Sequence, residues 1–328
     1  MYKIKFPNDI EISVDQSQTI LEAILSKNFM IPHSCRSGRC NSCKCKVIDG
    51  AYTTTDTQLG LSKTEVAEGF VLSCLAKPTS DMVVTDVKIN KFRLPVERTV
   101  PCKVVSVSKY SDTIASLEVR LPPGQPLEFI EGQYVNFLFK GGQKSYSVAS
   151  FNAIENTLVF DIKKIKSGAF SNYVFDEAKR DDLLRLRGPY GTFFPQSTKN
   201  KHLVFLATGT GYGPVRAIIK GLLRSSEESE FSSIYLFRGA RFVQDLYLEN
   251  EEFLKKITYV PTISGPNDAW AGETRYVHAI VPDYINDFDN ALVFACGAKA
   301  MVEDAKCELL QAGLKEANFF SDTFVASN

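Results

Sequence analysis

Cys35-Arg-Ser-Gly-Arg-Cys40-Asn-Ser-Cys43 is the stretch on which the reading of this chain turns. Three thiols are separated by four and then two residues, and a fourth, Cys74, lies well downstream. Soft thiolate ligands at this C-x4-C-x2-C…C spacing hold the two irons of a plant-type [2Fe–2S] cluster, three from one wrapped loop and one from a distant segment. Gly38 gives the loop a permissive backbone, and the short side chains of Ser34, Ser37 and Ser42 leave backbone N–H groups free to face the sulfides. Zinc knuckles instead favour two matched pairs of closely spaced ligands. Cys35, Cys40, Cys43 and Cys74 are therefore the expected metal ligands, while Cys45 reads as a small buried apolar residue.

Working outward, residues 1–90 form a small α+β unit of the β-grasp kind. Its strands fall at Lys3–Phe6 and Glu11–Val14, and Thr19-Ile20-Leu21-Glu22 signals a helix running to about Leu25. The stretch Lys88–Pro101, with Pro95 and Pro101 and little periodicity, reads as a linker. Residues 98–197 carry β-branched alternating runs at Val104–Val107, Ser116–Leu121, Tyr134–Phe139 and Thr157–Lys163, spaced by turns as in an antiparallel barrel. From residue 198 to 328 the grammar changes to αβ alternation: a buried strand from His202, a glycine turn, a helix over Val215–Leu223, a strand over Ser233–Phe237 and a last one at Leu292–Ala295. That pattern predicts a doubly wound parallel-sheet domain.

The 328 residues suit several domains, and 38 basic against 38 acidic residues leave no excess charge to attract nucleic acid or an anionic membrane. The N-terminus alternates like a strand rather than a signal segment, and no apolar run reaches the length of a membrane span. A cytoplasmic location is expected, and one tight cysteine cluster there argues for metal over disulfides.

Two further segments carry chemistry. Lys144-Ser-Tyr146-Ser147 ends a strand with a cation, a ring and a hydroxyl, suited to a phosphate, an isoalloxazine face and the ring's reactive edge. Leu206-Ala-Thr-Gly209-Thr210-Gly211-Tyr-Gly-Pro214 follows an apolar strand and opens a helix, where backbone amides can receive a dinucleotide pyrophosphate. Together these segments resemble the ferredoxin-NADP reductase superfamily. The resemblance implies FAD, with Tyr146 against the ring, Ser147 near N5, Lys144 in the place of the usual Arg, and Gly168 and Ser171 (Gly-Ala-Phe-Ser) at the pyrophosphate. It also places Cys296-Gly297-x-x-x-Met301 and Phe324 beside the nicotinamide, and makes Ser147 and Cys296 the catalytic residues. Arg238 and Arg241, after the second strand, stand where an adenosine ribose binds, so NADH and NADPH both remain open as donors.

The order of the modules is shared by oxygenase reductases and by the reductases of 3,6-dideoxyhexose biosynthesis, and the cluster loop is similar to that of dioxygenase reductases, whereas Arg187-Gly-Pro-x-Gly-Thr-Phe-Phe194, Tyr259-Val-Pro-x-x-Ser-Gly265, Trp270-x-Gly272 and Phe320-Ser-Asp-x-Phe324 look like the CDP-6-deoxy-Δ3,4-glucoseen reductases. That likeness implies an electron-accepting iron–sulfur partner, a pyridoxamine-phosphate-dependent dehydrase of 3,6-dideoxyhexose biosynthesis. An oxygenase partner is the alternative, and a non-catalytic electron carrier or redox sensor is a third. Arg36 and Arg39, expected to be exposed beside the cluster, are the docking candidates.

Overall fold

The computed structural model describes residues 1–55, 58–140, 142–225, 231–248, 251–266 and 270–324. The chain divides between Pro95 and Val96 into two units. In the first, strands Glu11–Val14, Tyr2–Lys5, Met82–Thr85, Lys44–Asp49 and Phe70–Leu72 lie side by side in that order. Tyr2–Lys5 and Met82–Thr85 run parallel and the other neighbours antiparallel, the mixed pairing of a β-grasp. Helix Ile20–Ser26 buries Ile20, Leu21, Ala23 and Ile24 against this sheet. It starts where the sequence predicts because Thr19 and Glu22 cap each other reciprocally, at 3.2 and 2.8 Å. A second capping box at Ser62 and Glu65 opens a short helix, Lys63–Ala67, that periodicity did not announce.

The expected linker is partly structured. Asn90–Lys91 pairs with Phe29–Met30, and Arg98 already begins a long strand, Arg98–Lys109. In the second unit that strand lies in a seven-stranded antiparallel sheet whose two edges, Gly142–Ser147 and Ser150–Asn152, are consecutive in the chain. The connecting residues bond to both sides, Val148 N–H to the Gln133 carbonyl and Ala149 N–H to the Val159 carbonyl, which closes the sheet into a barrel. Phe137, Phe160 and Phe170 meet in its centre at ring separations of 4.9 and 4.8 Å. The helical segment after Gly168 spans Ala169–Asn172 and passes into a wider turn over Tyr173–Glu177.

The remaining strands form an all-parallel sheet in the order Thr258–Ile263, Ser233–Ala240, His202–Thr208, Ala291–Ala298, Phe319–Phe324. Leu203 and Phe205 face helix Tyr212–Arg224, whereas Val204 and Leu206 face helix Lys299–Gln311, so both faces are covered. Among the described residues the crossovers after the second and third strands are 3-10 turns rather than α-helices. No helix among them is long and apolar enough to cross a membrane.

Phe137 is fully buried between two rings, so Phe137→Ala should cost about 3–5 kcal/mol of stability, read from chemical denaturation of the full chain.

Candidate active site and cluster loop

The four cysteines expected to bind metal converge as two pairs. Cys35 and Cys40 are in hydrogen-bonding contact, as are Cys43 and Cys74, and the charge of Cys35 is felt at all three others. The Cys40 thiol and the amides of Ser37 and Cys40, 3.4 and 3.3 Å from the Cys35 sulfur, pull Cys35 down to about 4. The Cys74 thiol likewise lowers Cys43, while Cys40 and Cys74 are pushed up as the proton-holding partners. Among the described residues no three His, Cys, Asp or Glu converge on a single-ion site. Two thiol pairs fit instead a cluster whose two irons each take two thiolates. Gly38 N–H donates to Cys74, a further backbone donor on the ligand set. Cys45 is 1% exposed, and burial raises its pKa, as befits an apolar position.

The loop arginines differ from expectation. Arg36 and Arg39 are half-buried, and Arg36 folds back so that its Nη2 lies 3.4 Å from His33 Nε2. His33 is itself buried, and burial together with the Arg36 charge lowers it to about 4. Neither arginine projects as a free docking charge.

In the barrel, the strand Gly142–Ser147 carries Lys144, Tyr146 and Ser147 in register with Phe137, Val135 and Tyr134. The Tyr146 ring lies 5.3 Å from Phe170, and burial pushes its hydroxyl up to about 12, so it stays neutral. The Ser171 hydroxyl donates to the Gly168 carbonyl at 3.0 Å and accepts from Ile165 N–H at 3.1 Å. It is spent on shaping the turn, so what this turn can offer a phosphate is backbone N–H rather than the hydroxyl.

The parallel sheet reverses its order between the first strand, His202–Thr208, and the fourth, Ala291–Ala298, the switch point at which such sheets take ligands. The turn Gly209–Gly211 and the start of helix Tyr212–Arg224, with Pro214, stand on one side of it, and Cys296, Gly297 and Met301 on the other. A Cβ at Gly211 would lie 2.3 Å from the Cys296 carbonyl oxygen, and one at Gly297 would lie 2.1 Å from Thr208 Oγ1. These two turns can touch only because neither carries a side chain there.

Ser147 crosses to this crevice, donating to Asp322 Oδ2 at 3.4 Å, and Asp322 pairs in register with Cys296. Asp322 was not singled out from the sequence, although it sits inside the quoted segment Phe320–Phe324. Cys296 is fully buried, and burial with the Asp322 charge lifts its thiol well above the ordinary value. Phe324 ends the same strand and is exposed.

The two arginines assigned to the ribose part company. Arg238 is 1% exposed, its guanidinium 3.7 Å from the Tyr212 ring centre and 4.8 Å from that of Tyr247. It points into the protein interior and cannot serve a 2′-phosphate. Arg241, past the strand end, is exposed beside Phe242.

Comparison with known proteins gives three family matches: a 2Fe-2S iron-sulfur cluster binding domain over residues 4–79, an oxidoreductase FAD-binding domain over 101–194 and an oxidoreductase NAD-binding domain over 205–307. A CDP-6-deoxy-L-threo-D-glycero-4-hexulose-3-dehydrase reductase of Yersinia pestis is 34% identical, covering 98% of this chain and 97% of its own. The phenol hydroxylase P5 protein of Acinetobacter pittii is 31% identical, over 98% and 93%. The crystal structure of an Amycolatopsis cytochrome P450 reductase superposes with a TM-score of 0.78 at 23% identity, over 99% of both chains.

Two outcomes follow from the geometry. Cys74→Ser should leave less than the full complement of two irons and two sulfides per chain and bleach the visible cluster absorbance, measured by iron and sulfide assay. If Arg241 receives the 2′-phosphate, as the resemblance implies, Arg241→Gln should raise the KM for NADPH by roughly tenfold and leave that for NADH nearly unchanged, in steady-state assays with ferricyanide.

Proposed function

The chain belongs to the ferredoxin-NADP reductase superfamily, among the members with an N-terminal 2Fe-2S domain, and we propose that its electrons go to an iron–sulfur dehydrase acting on a CDP-4-keto-6-deoxyhexose. The likeness to the Yersinia pestis dehydrase reductase over almost the full length of both chains supports that partner. The observation that carries the chemistry is the meeting of Ser147, Asp322 and Cys296 at the switch point of the parallel sheet.

FAD, when bound, would accept hydride from NAD(P)H and release the electrons singly to the cluster. The residues present suit that exchange. Asp322 accepts from Ser147 and so fixes the direction of the serine hydroxyl at the end of its strand. In our reading Ser147 then offers a hydrogen bond where negative charge grows on the acceptor, the kind of contact that lowers a barrier most when it is preorganised. Cys296 is held as a neutral thiol by burial and by Asp322, so it serves as a small soft surface beside the nicotinamide and not as a nucleophile. The glycine turn Gly209–Gly211 and the helix behind it present backbone amides to the pyrophosphate of the donor.

A second reading has support of its own in the phenol hydroxylase P5 protein, similar over 98% of this chain: the acceptor would be an oxygenase component. The two readings share every step up to the cluster.

Under anaerobic stopped-flow, NADH should bleach the flavin of the parent protein, and Ser147→Ala should slow that step on the order of a hundredfold with the cluster spectrum unchanged. Cys40→Ser should abolish delivery to the dehydrase while ferricyanide reduction persists. Reduction of an oxygenase component but not of a dehydrase would move the assignment to the second reading.

A further inference from the structure

Among the described residues Arg238 is the largest fully buried side chain, and its placement is unusual. Its Nη1 and Nη2 have no hydrogen-bond partner among the described residues. The charge rests instead against two rings set nearly at right angles to each other, Tyr212 and Tyr247, whose centres are 5.7 Å apart. Tyr110, from the barrel, stacks on Tyr247 at 4.9 Å, and the Arg216 guanidinium lies 5.5 Å from the Tyr212 ring centre. Asp161, also from the barrel, ties the group together: its side chain is 1% exposed, accepts from the Tyr247 hydroxyl at 2.9 Å and meets Arg216 Nη2 at 3.4 Å. Glu251 accepts from Tyr212 at 3.2 Å and pairs with Lys220.

Three cations and two carboxylates are thus gathered where the barrel meets the parallel-sheet domain. Buried charge left without hydrogen bonds destabilises a fold, and an apolar seam of similar volume would bind the two parts at least as firmly. A close-packed cluster of rings and hydrogen-bonded charges does, however, tolerate little change of angle. Its position also matters. A Cβ at Gly213 would stand 3.0 Å from Ala149 Cβ and 3.1 Å from Asp161 Oδ2. Gly213 follows the glycine turn that would receive the donor, and Ala149 follows the strand bearing Ser147. Ala149 is itself bonded to Val159, on the strand that holds Asp161. Any displacement at Asp161 therefore reaches both halves of the crevice.

We propose that Asp161 and the cluster of Tyr110, Tyr247, Arg238 and Tyr212 are positioning residues for hydride entry, setting the nucleotide domain on the barrel at the angle that brings the Gly209–Pro214 turn to the Ser147 strand. The assignment rests on hydride entering at this crevice. None of these side chains touches the reacting atoms; they act through the two backbones they hold.

Two variants of the full chain test it. Arg238→Met removes the guanidinium and keeps an apolar filler, and Tyr247→Phe removes only the hydroxyl that bonds Asp161. The expected result in stopped flow is a limiting rate of flavin reduction lowered roughly tenfold or more, with the NADH dissociation constant within about twofold of the parent. Arg238→Met should show this with a melting temperature equal to or above that of the parent, a divergence that a purely structural seam would not produce. A limiting rate within about twofold of the parent in both variants overturns the proposal, as does a slowed rate that merely tracks lost flavin. If Arg238→Met does not fold, the Tyr247→Phe rate decides alone. A parent protein whose flavin NADH does not bleach refutes the hydride reading itself, and is distinguished from failure of the proposal by that control.

Discussion

Backbone contact between the turn at Gly209–Gly211 and the turn at Cys296–Gly297 governs the rest of the second unit. With room for no Cβ at Gly211 or Gly297, the two adjacent parallel strands end in a crevice walled by peptide groups. Peptide N–H groups suit a pyrophosphate, yet such walls cannot supply a hydroxyl or a carboxylate. Those have to be brought in from neighbours, and they are: Ser147 comes from the barrel and Asp322 from the next parallel strand. The closed barrel is what holds Ser147 there, since its edge strands are consecutive and tethered on both sides at Val148 and Ala149.

The two places where charge is buried in this unit answer to different needs. At the crevice, low dielectric keeps Cys296 protonated and leaves one carboxylate, Asp322, aimed at a hydroxyl. Behind it, at Asp161, burial raises the carboxyl while Arg216, the Tyr247 hydroxyl and Arg238 oppose that shift. The first arrangement aims a carboxylate at a hydroxyl across the crevice, and the second ties Tyr247 and Arg216 to the barrel. In the first unit the same physics acts on thiols: pairing lowers one member of each pair and raises the other.

What could be read in the sequence was whatever local spacing encodes. The cysteine loop, the capping box at Thr19 and the strand–glycine–helix order after His202 are constraints on neighbouring residues, and the structure contains each of them. Asp322 escaped because its meaning depends on Ser147, 175 residues away in the chain, and on the register that pairs it with Cys296. The half-buried state of Arg36 escaped for a related reason, since it depends on His33 being folded beneath it. Lys88–Pro101 read as a linker because two-residue pairings such as Asn90–Lys91 leave no periodicity to detect.

Arg238 marks where a period-two argument could have gone further. Side chains on its strand alternate between faces, with Ile234 and Leu236 on the side of helix Tyr212–Arg224 and Phe237 on the other. Parity alone sends Arg238 to the side of Leu236, towards the barrel, and away from a ribose at the strand's end. The sheet's parallel registers then decide what it finds there. Arg238 stands level with Ala207 and Pro261, and its guanidinium meets the rings of Tyr212 and Tyr247. Of the two arginines, Arg241, beyond the last paired residue, escapes the alternation and reaches solvent.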